Sequence, residues 1–194
     1  MTSLFPNGYL VESTDEILPN FDNVSAQAFP FFDLWGNACE NEAYLKMTHD
    51  GVYLYCFFRC YFREKPQDVT AIHGKKVYRD ECVELFIGSK NNYFEFDVSP
   101  YNMQFFVLVD NKGEPEPAFS EVVGDFSTAT VMQDSFYDAS YKISLKELLR
   151  FGKKLYINAF RVEMKNGERV SRTISKTNSN LHHVPEAFIS IRFS

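Results

Sequence analysis

Residues 52–62 read VYLYCFFRCYF, an apolar run too continuous for a strand with one wet face. It is expected as a strand buried on both sides. Side chains alternate along a strand, so Val52, Leu54, Cys56, Phe58, Cys60 and Phe62 share one face, while Tyr53, Tyr55, Phe57, Arg59 and Tyr61 share the other. The first set is core. The second is a row of amphipathic aromatics that suits two uses: packing under another layer with its hydroxyls bonded at the rim, or bordering a ligand groove, with Tyr55 as a candidate contact. Either use needs further layers around this strand.

The remaining chain supplies them as strands. Short strands are expected at about residues 8–13 and 43–48, then at 103–110, within 119–123, 129–132 and 136–143, and at 155–164 and 187–193. HDG at 49–51 and KNG at 165–167 mark turns. FPFFDLW at residues 29–35 reads as an aromatic plug over one end or edge of a sheet, and residues 1–30 are otherwise broken up by Pro6, Gly8, Pro19 and Pro30. Residues 63–76 and 111–117 read as loops. One helix is expected, at 144–151: Ser144 and Glu147 have capping-box spacing, Leu145, Leu148 and Leu149 form the apolar stripe, and Gly152 stands at the C-terminal cap. Many short strands, one short helix and no βαβ rhythm predict an all-β fold, an antiparallel two-sheet β-sandwich, with 1–194 as a single domain.

Residues 77–97, VYRDECVELFIGSKNNYFEFD, form a hairpin broken at GSKNN. Asp80, Glu81, Glu84, Glu95 and Asp97 crowd into it, although acids are poor strand formers and costly to bury unpaired. If all of 88–92 is loop, Glu84 lies opposite Phe96; with a loop one residue shorter it faces Asp97. Paired carboxylates suit acid and base chemistry on a glycosidic bond, but equally serve as acceptors for a polar ligand, a metal or an arginine. Arg161, within INAFRVE, is the counter-charge. It reads either as a structural ion pair with a hairpin carboxylate or as a donor that grips sugar hydroxyls together with Glu84.

Composition excludes some partners. A net charge of -6 with scattered Lys and Arg argues against nucleic acid and anionic membranes, and no stretch approaches membrane-span length. The start lacks a basic segment followed by a long apolar run, which reads as a cytoplasmic chain or as a piece of a secreted parent. Cys39, Cys56, Cys60 and Cys82 follow no disulfide or zinc spacing; Cys56 and Cys60, roughly 13 Å apart in one strand, cannot bridge. His182 and His183 on an extended segment are expected to point to opposite sides, and no nucleophile signature accompanies them. A zinc site drawn from His49, His73, His182 and His183 has no spacing in its favour.

Four pieces in order, VYRDECVELFI, YFEFDVSPYN, INAFRVE and HHVPEAF, resemble carbohydrate-binding module family 9. That family's pattern is a D-x-x-x-E-x-F strand, a Y-x-E-F-x partner, a late F-R-I-E strand and H-x-P-E-x-F. The resemblance spans residues 32–193, taking in Trp35 and AYLKMTHDGVYLYCFF. It implies a β-sandwich that binds sugars, often at chain ends, between aromatic and charged groups, with calcium held by some members. Position by position, Glu84 matches the acid of the first arm, Arg161 the arginine of the late strand, and Tyr78 one stacking aromatic. The other stacking aromatic has no counterpart in SRTISKTNSNL, where Ile174 stands near its place, and Trp35 matches a structural position. A missing platform removes much of the contact with a sugar's C–H face, so the resemblance carries the fold further than the ligand.

The reading is therefore a non-catalytic domain binding a mono- or oligosaccharide through Tyr78, Glu84, Arg161, Asp97 and Tyr55, with no cofactor assigned and calcium, held by some members of that family, as the one candidate. The alternative is a protein-interaction or assembly sandwich, a homo-oligomer included, in which the aromatic row and FPFFDLW make protein contacts. A glycoside hydrolase built on Glu84 is the third reading.

Overall fold

The computed structural model describes residues 8–40, 42–68, 76–111 and 117–194; His73 and most of the two long loops lie outside them. The described chain forms β1 (Tyr9–Val11), β2 (Phe29–Pro30), β3 (Phe32–Asp33), β4 (Ala43–His49), β5 (Tyr53–Tyr61), β6 (Cys82–Gly88) and β7 (Asn92–Val98). Then come β8 (Gln104–Asp110), β9 (Ala118–Glu121), β10 (Phe126–Met132), β11 (Phe136–Ser144), α1 (Leu145–Leu148), β12 (Leu155–Lys165), β13 (Glu168–Thr173) and β14 (Ile189–Phe193).

Two sheets result. One has nine strands in the order β1-β14-β12-β6-β7-β8-β9, with β13 beside β12 and β3 beside β13; the other has five, β10-β11-β5-β4-β2. All pairings between these strands are antiparallel except β1 with β14. The FPFFDLW plug divides between the layers: Phe29 and Pro30 pair with β4 of the smaller sheet, and Phe32 and Asp33 pair with β13 of the larger.

Between the sheets, Val83, Leu85, Ile87, Phe94, Phe96, Ile157 and Ala159 meet Leu45, Met47, Leu54, Cys56, Phe58, Ala139 and Ile143 in one apolar core. The Tyr141 hydroxyl crosses this core, lying 3.0 Å from the Val83 carbonyl and 3.2 Å from that of Phe96. It therefore ties the smaller sheet to the hairpin. Cys56, Cys60 and Cys82 are buried thiols and none of the four cysteines is bridged.

The turn at Asn166-Gly167 is a consequence of residue type. Both residues have positive φ, 53° and 80°, which asparagine and glycine tolerate and which suits the twist of a two-residue hairpin. The helix differs from expectation. The Ser144 side chain makes no cap hydrogen bond, α1 continues as a 3-10 turn over Leu149–Phe151, and Gly152 exits at φ 112°, ψ 178°. That is an extended exit open to glycine, not the left-handed cap the spacing suggested. The helix persists because Leu145 and Leu148 are buried in the core, and packing contributes more than capping in so short an element.

Candidate functional site: the outer face of the nine-stranded sheet

The hairpin adopts the shorter loop. Glu84 pairs with Asp97, Phe86 with Glu95, and Gly88 with Tyr93. Because Val83, Leu85, Phe94 and Phe96 take the core side, alternation sends Glu84, Phe86, Tyr93, Glu95 and Asp97 to the outer face. The same parity brings Phe160 from β12, which lies opposite Glu84, and Phe105, Val107 and Val109 from β8, opposite Asp97, Glu95 and Tyr93. Leu34 and Phe188 complete an apolar cluster with Phe86, Tyr93, Phe160, Val107 and Val109. This face is covered and partly dry, so three carboxylates stand among aromatics.

Their partners come from residues the linear motifs did not rank. Arg169, on β13, reaches past β12 to place its guanidinium 2.9 Å from Glu84 Oε1, and His182 Nδ1 lies 2.5 Å from Glu84 Oε2. Burial raises the Glu84 pKa, but the interaction and hydrogen bond with His182 and the charge of Arg169 outweigh it and hold the carboxyl below its usual range. Glu84 is thus ionised and accepts, which puts a proton on His182 Nδ1. The His182 ring lies flat on Phe160, 4.1 Å between centroids and 5° between planes, and His183 lies flat on Phe86 at 5.0 Å and 16°.

Both histidines therefore face the sheet, contrary to the alternation expected of an extended segment. The reason is a tight turn: the Val184 N–H donates to the His182 carbonyl at 2.8 Å, so the backbone bends between the two residues. His183 Nδ1 is 2.8 Å from the Tyr93 hydroxyl and its Nε2 is 3.8 Å from Glu95 Oε2. Burial brings the His183 pKa down to about 4; the ring is neutral, Tyr93 donates to Nδ1, and the remaining N–H faces Glu95.

The other two acids behave oppositely to Glu84. Burial, reinforced by the Glu84 charge and opposed by Arg169, raises the Glu95 pKa to about 8. Burial followed by the charges of Glu95 and Glu84 pushes Asp97 well above the carboxylate range. Asp97 is fully buried and neither of its oxygens has a hydrogen-bond partner. Three like charges on neighbouring positions cannot all ionise in a low-dielectric site, so one carries the charge and two keep their protons.

Of the residues the sequence singled out, Tyr78, Glu84 and Asp97 share this face. Tyr78, half-buried in a 3-10 turn over Val77–Arg79, packs edge-on against Phe105 at 5.3 Å, beside Asp97. Arg161 does not join them. It pairs with Val83 and so points between the sheets, where it is fully buried with Glu163 at 2.9 Å, Glu81 at 3.6 Å and the Glu42 carbonyl at 3.3 Å. Its structural ion pair is with Glu81 and Glu163, and Glu84 and Arg161 occupy opposite faces of one sheet.

Tyr55 lies farther still, on the outer face of the five-stranded sheet. Its hydroxyl donates to Asp50 at 2.7 Å, and with Phe57 it packs under Phe21, Val24 and Ala26. The aromatic row thus serves the packing use there. Ile174, near the place of the missing aromatic, turns into the core.

One exposed aromatic escaped the motif reading. Phe119 on β9 is 51% exposed; it pairs with Val109, which pairs with Tyr93, and its ring lies 5.4 Å from His183. Alternation within AFSE hints at its direction, but only the β8–β9 register shows which face it joins. Tyr78 and Phe119 stand at opposite ends of β8, at Phe105 and Val109, roughly 13 Å apart along the strand, with Glu95 and His183 between. Trp35, 53% exposed, projects from a turn pinned by Asp33, whose carboxylate accepts from the Trp35 and Asn37 N–H groups at 2.9 and 2.8 Å.

A separate open cavity of about 780 Å3, lined by residues 12–18, 23–26 and Thr48, lies away from these groups. Among the described residues no set of three His, Cys, Asp or Glu side chains is arranged to hold a metal ion, and no helix is long and apolar enough to cross a membrane.

No protein-family model matches the sequence, and no curated protein is significantly similar to it. Solved structures are similar in fold. A putative carbohydrate-binding protein from Bacteroides uniformis ATCC 8492 superposes with TM-score 0.72 at 13% identity, covering 96% of this chain and 100% of that one. A carbohydrate binding module family 9 from Caldicellulosiruptor kristjanssonii superposes in its cellotriose complex with TM-score 0.69 at 15% identity, over 96% of this chain and 93% of that one. Its glucose complex gives 0.68 at 15% identity, over 95% and 94%. The two-sheet sandwich described above is therefore the fold of the family 9 carbohydrate-binding modules.

Proposed function

We propose that the outer face of the nine-stranded sheet binds carbohydrate without cleaving it. The observation that carries the reading is the convergence of Tyr78, Phe119, Arg169, His183 and the Glu84–Glu95–Asp97 group on one face of a sandwich whose fold is shared with a module captured with cellotriose and with glucose. Sugar recognition needs apolar faces for C–H groups and fixed donors and acceptors for hydroxyls. Here Tyr78 and Phe119 are the apolar ends, and the half-exposed Arg169 side chain is the reachable donor. Glu84 acts behind it by fixing the guanidinium. The spacing of the two aromatics favours a ligand longer than one sugar ring.

A hydrolase fits less well. Glu84 and Glu95 have the opposed ionisation of an acid–base pair, yet they are 2% and 5% exposed and lie against the flat rings of His182 and His183. A glycosidic bond has to reach both carboxyls to be cleaved by them.

Calorimetric titration with glucose, cellotriose and a panel of other mono- and oligosaccharides, with and without calcium, tests the proposal. Saturable binding that weakens in Arg169→Ala, with no release of reducing sugar, is expected. No saturable binding to any member of the panel would sink it.

A further inference from the structure

The edges of the two sheets are treated unequally. A strand edge offers unpaired N–H and C=O groups to any other extended chain, and folded proteins guard it with short length, proline or charge. Among the described residues the sheets have five edge strands, and four are guarded in this way: β1 has three residues, β2 has two with Pro30, β3 has two with Asp33, and β9 has four ending in Glu121. The fifth, β10, has seven residues, FSTATVM, without charge or proline. Among the described residues it pairs only with β11.

The register shows which groups β10 presents. Gln133 N–H donates to the Phe136 carbonyl and Ser144 N–H to the Asp125 carbonyl, so these two pairs are hydrogen-bonded pairs of the β10–β11 ladder. Bonded and non-bonded pairs alternate in antiparallel sheets. Phe126, Thr128, Thr130 and Met132, opposite Ile143, Tyr141, Ala139 and Tyr137, are the non-bonded ones. Their N–H and C=O groups point to the open edge, and among the described residues no hydrogen bond is drawn to them.

We infer that this edge pairs with a second copy of itself, antiparallel about Ala129, joining two five-stranded sheets into one. The strand is self-complementary in that register alone. Centred on Ala129, Phe126 meets Met132 of the other copy and Thr128 meets its Thr130, so all four outward-pointing residues on each side find outward-pointing partners. Centring on Thr128 or Thr130 leaves one of the four unmatched. Thr–Thr and aromatic pairs are favourable cross-strand neighbours. On the exposed face Ser127 meets Val131 and Ala129 meets Ala129, small neutral side chains with no clash. The flanking Asp125 and Asp134 fall opposite Gln133 and Gly124, so no like charges stand directly across. The Thr128 hydroxyl is held by Gln104 and Asn102 at the start of β8, 2.6 and 2.9 Å away, but the carbohydrate face is the opposite face of that sheet, and the inference does not depend on that reading.

Sedimentation equilibrium over a wide concentration range tests it. The wild-type chain is expected to dimerise. Ala129→Lys and Ala129→Glu, at an exposed position, each place like-charged side chains directly opposite across the axis, on Cα atoms about 4.5 Å apart, and are expected to raise the dissociation constant on the order of tenfold or more. Circular dichroism of each variant matches the wild type, and an equimolar mixture of the two restores the dimer. A wild-type chain that stays monomeric throughout overturns the inference, as it does if β10 is kept for a foreign strand. So does a mixture of the two variants that fails to associate, because the contact is then not centred on Ala129.

Discussion

Replacing Glu95 by Gln removes a carboxyl group that the native fold keeps protonated, and the consequence for stability depends on pH in a direction the structure specifies. Native Glu95 holds its proton up to about pH 8, whereas an exposed glutamate loses it near 4.5. The native state therefore binds more protons over that interval, and stability falls as pH rises through it. Asp97, also raised, acts in the same sense. His183 opposes them at the acid end: its native pKa of about 4 against 6.5 when exposed makes stability rise between those values. Above pH 6.5 that contribution is complete and only the carboxyl effect remains. One proton of linkage is worth about 1.4 kcal/mol per pH unit, so Glu95 alone costs about 2 kcal/mol between pH 6.5 and 8. Urea unfolding at half-unit intervals in that range is expected to show the decline in the wild type and a shallower one in Glu95→Gln, with the variant the more stable at pH 8. A wild-type profile that is flat or rises there, or a variant with the same slope, would refute the assignment of a protonated Glu95.

Three other outcomes follow from the geometry. Arg161→Ala leaves Glu81 and Glu163 facing each other in the core and is expected to cost roughly 3–5 kcal/mol by denaturant unfolding, while Arg161→Met costs less because its volume is kept; a loss below about 1 kcal/mol for alanine contradicts the buried ion pair. Tyr141→Phe strips the hydroxyl that serves the Val83 and Phe96 carbonyls and is expected to cost about 1–2 kcal/mol in thermal or chemical unfolding. In sugar titrations Tyr78→Ala and Phe119→Ala are each expected to weaken binding by about 1 kcal/mol, some fivefold, and Tyr55→Ala to leave it unchanged; an effect of Tyr55 equal to that of Tyr78 would place the site on the wrong sheet.

Strand content, the two-layer arrangement and the inner faces were legible because alternation is a local property: each residue's side follows from its neighbour's. The sequence by itself determined that Glu95 and Asp97 share a face, that residues 52–62 have a core side, and that Asn166-Gly167 turns. It did not determine the hairpin register, since a loop of either length satisfies the same residues and only packing of Phe94 and Phe96 against the opposite sheet selects one. Nor did it show that Arg161 and Glu84 lie back to back, because the relative parity of β12 and β6 is a long-range relation. His182 and His183 were misplaced for a different reason: a single backbone bend cancels alternation, and it lets both rings stack on aromatics of other strands, Phe160 and Phe86, 22 and 97 residues away in the chain. Local residue types set which way each side chain leaves its own strand. Only the assembled sheets decided which of those side chains meet, and hence that the charged group of this face is Glu84 with Arg169 and His182, while Arg161 holds the interior together.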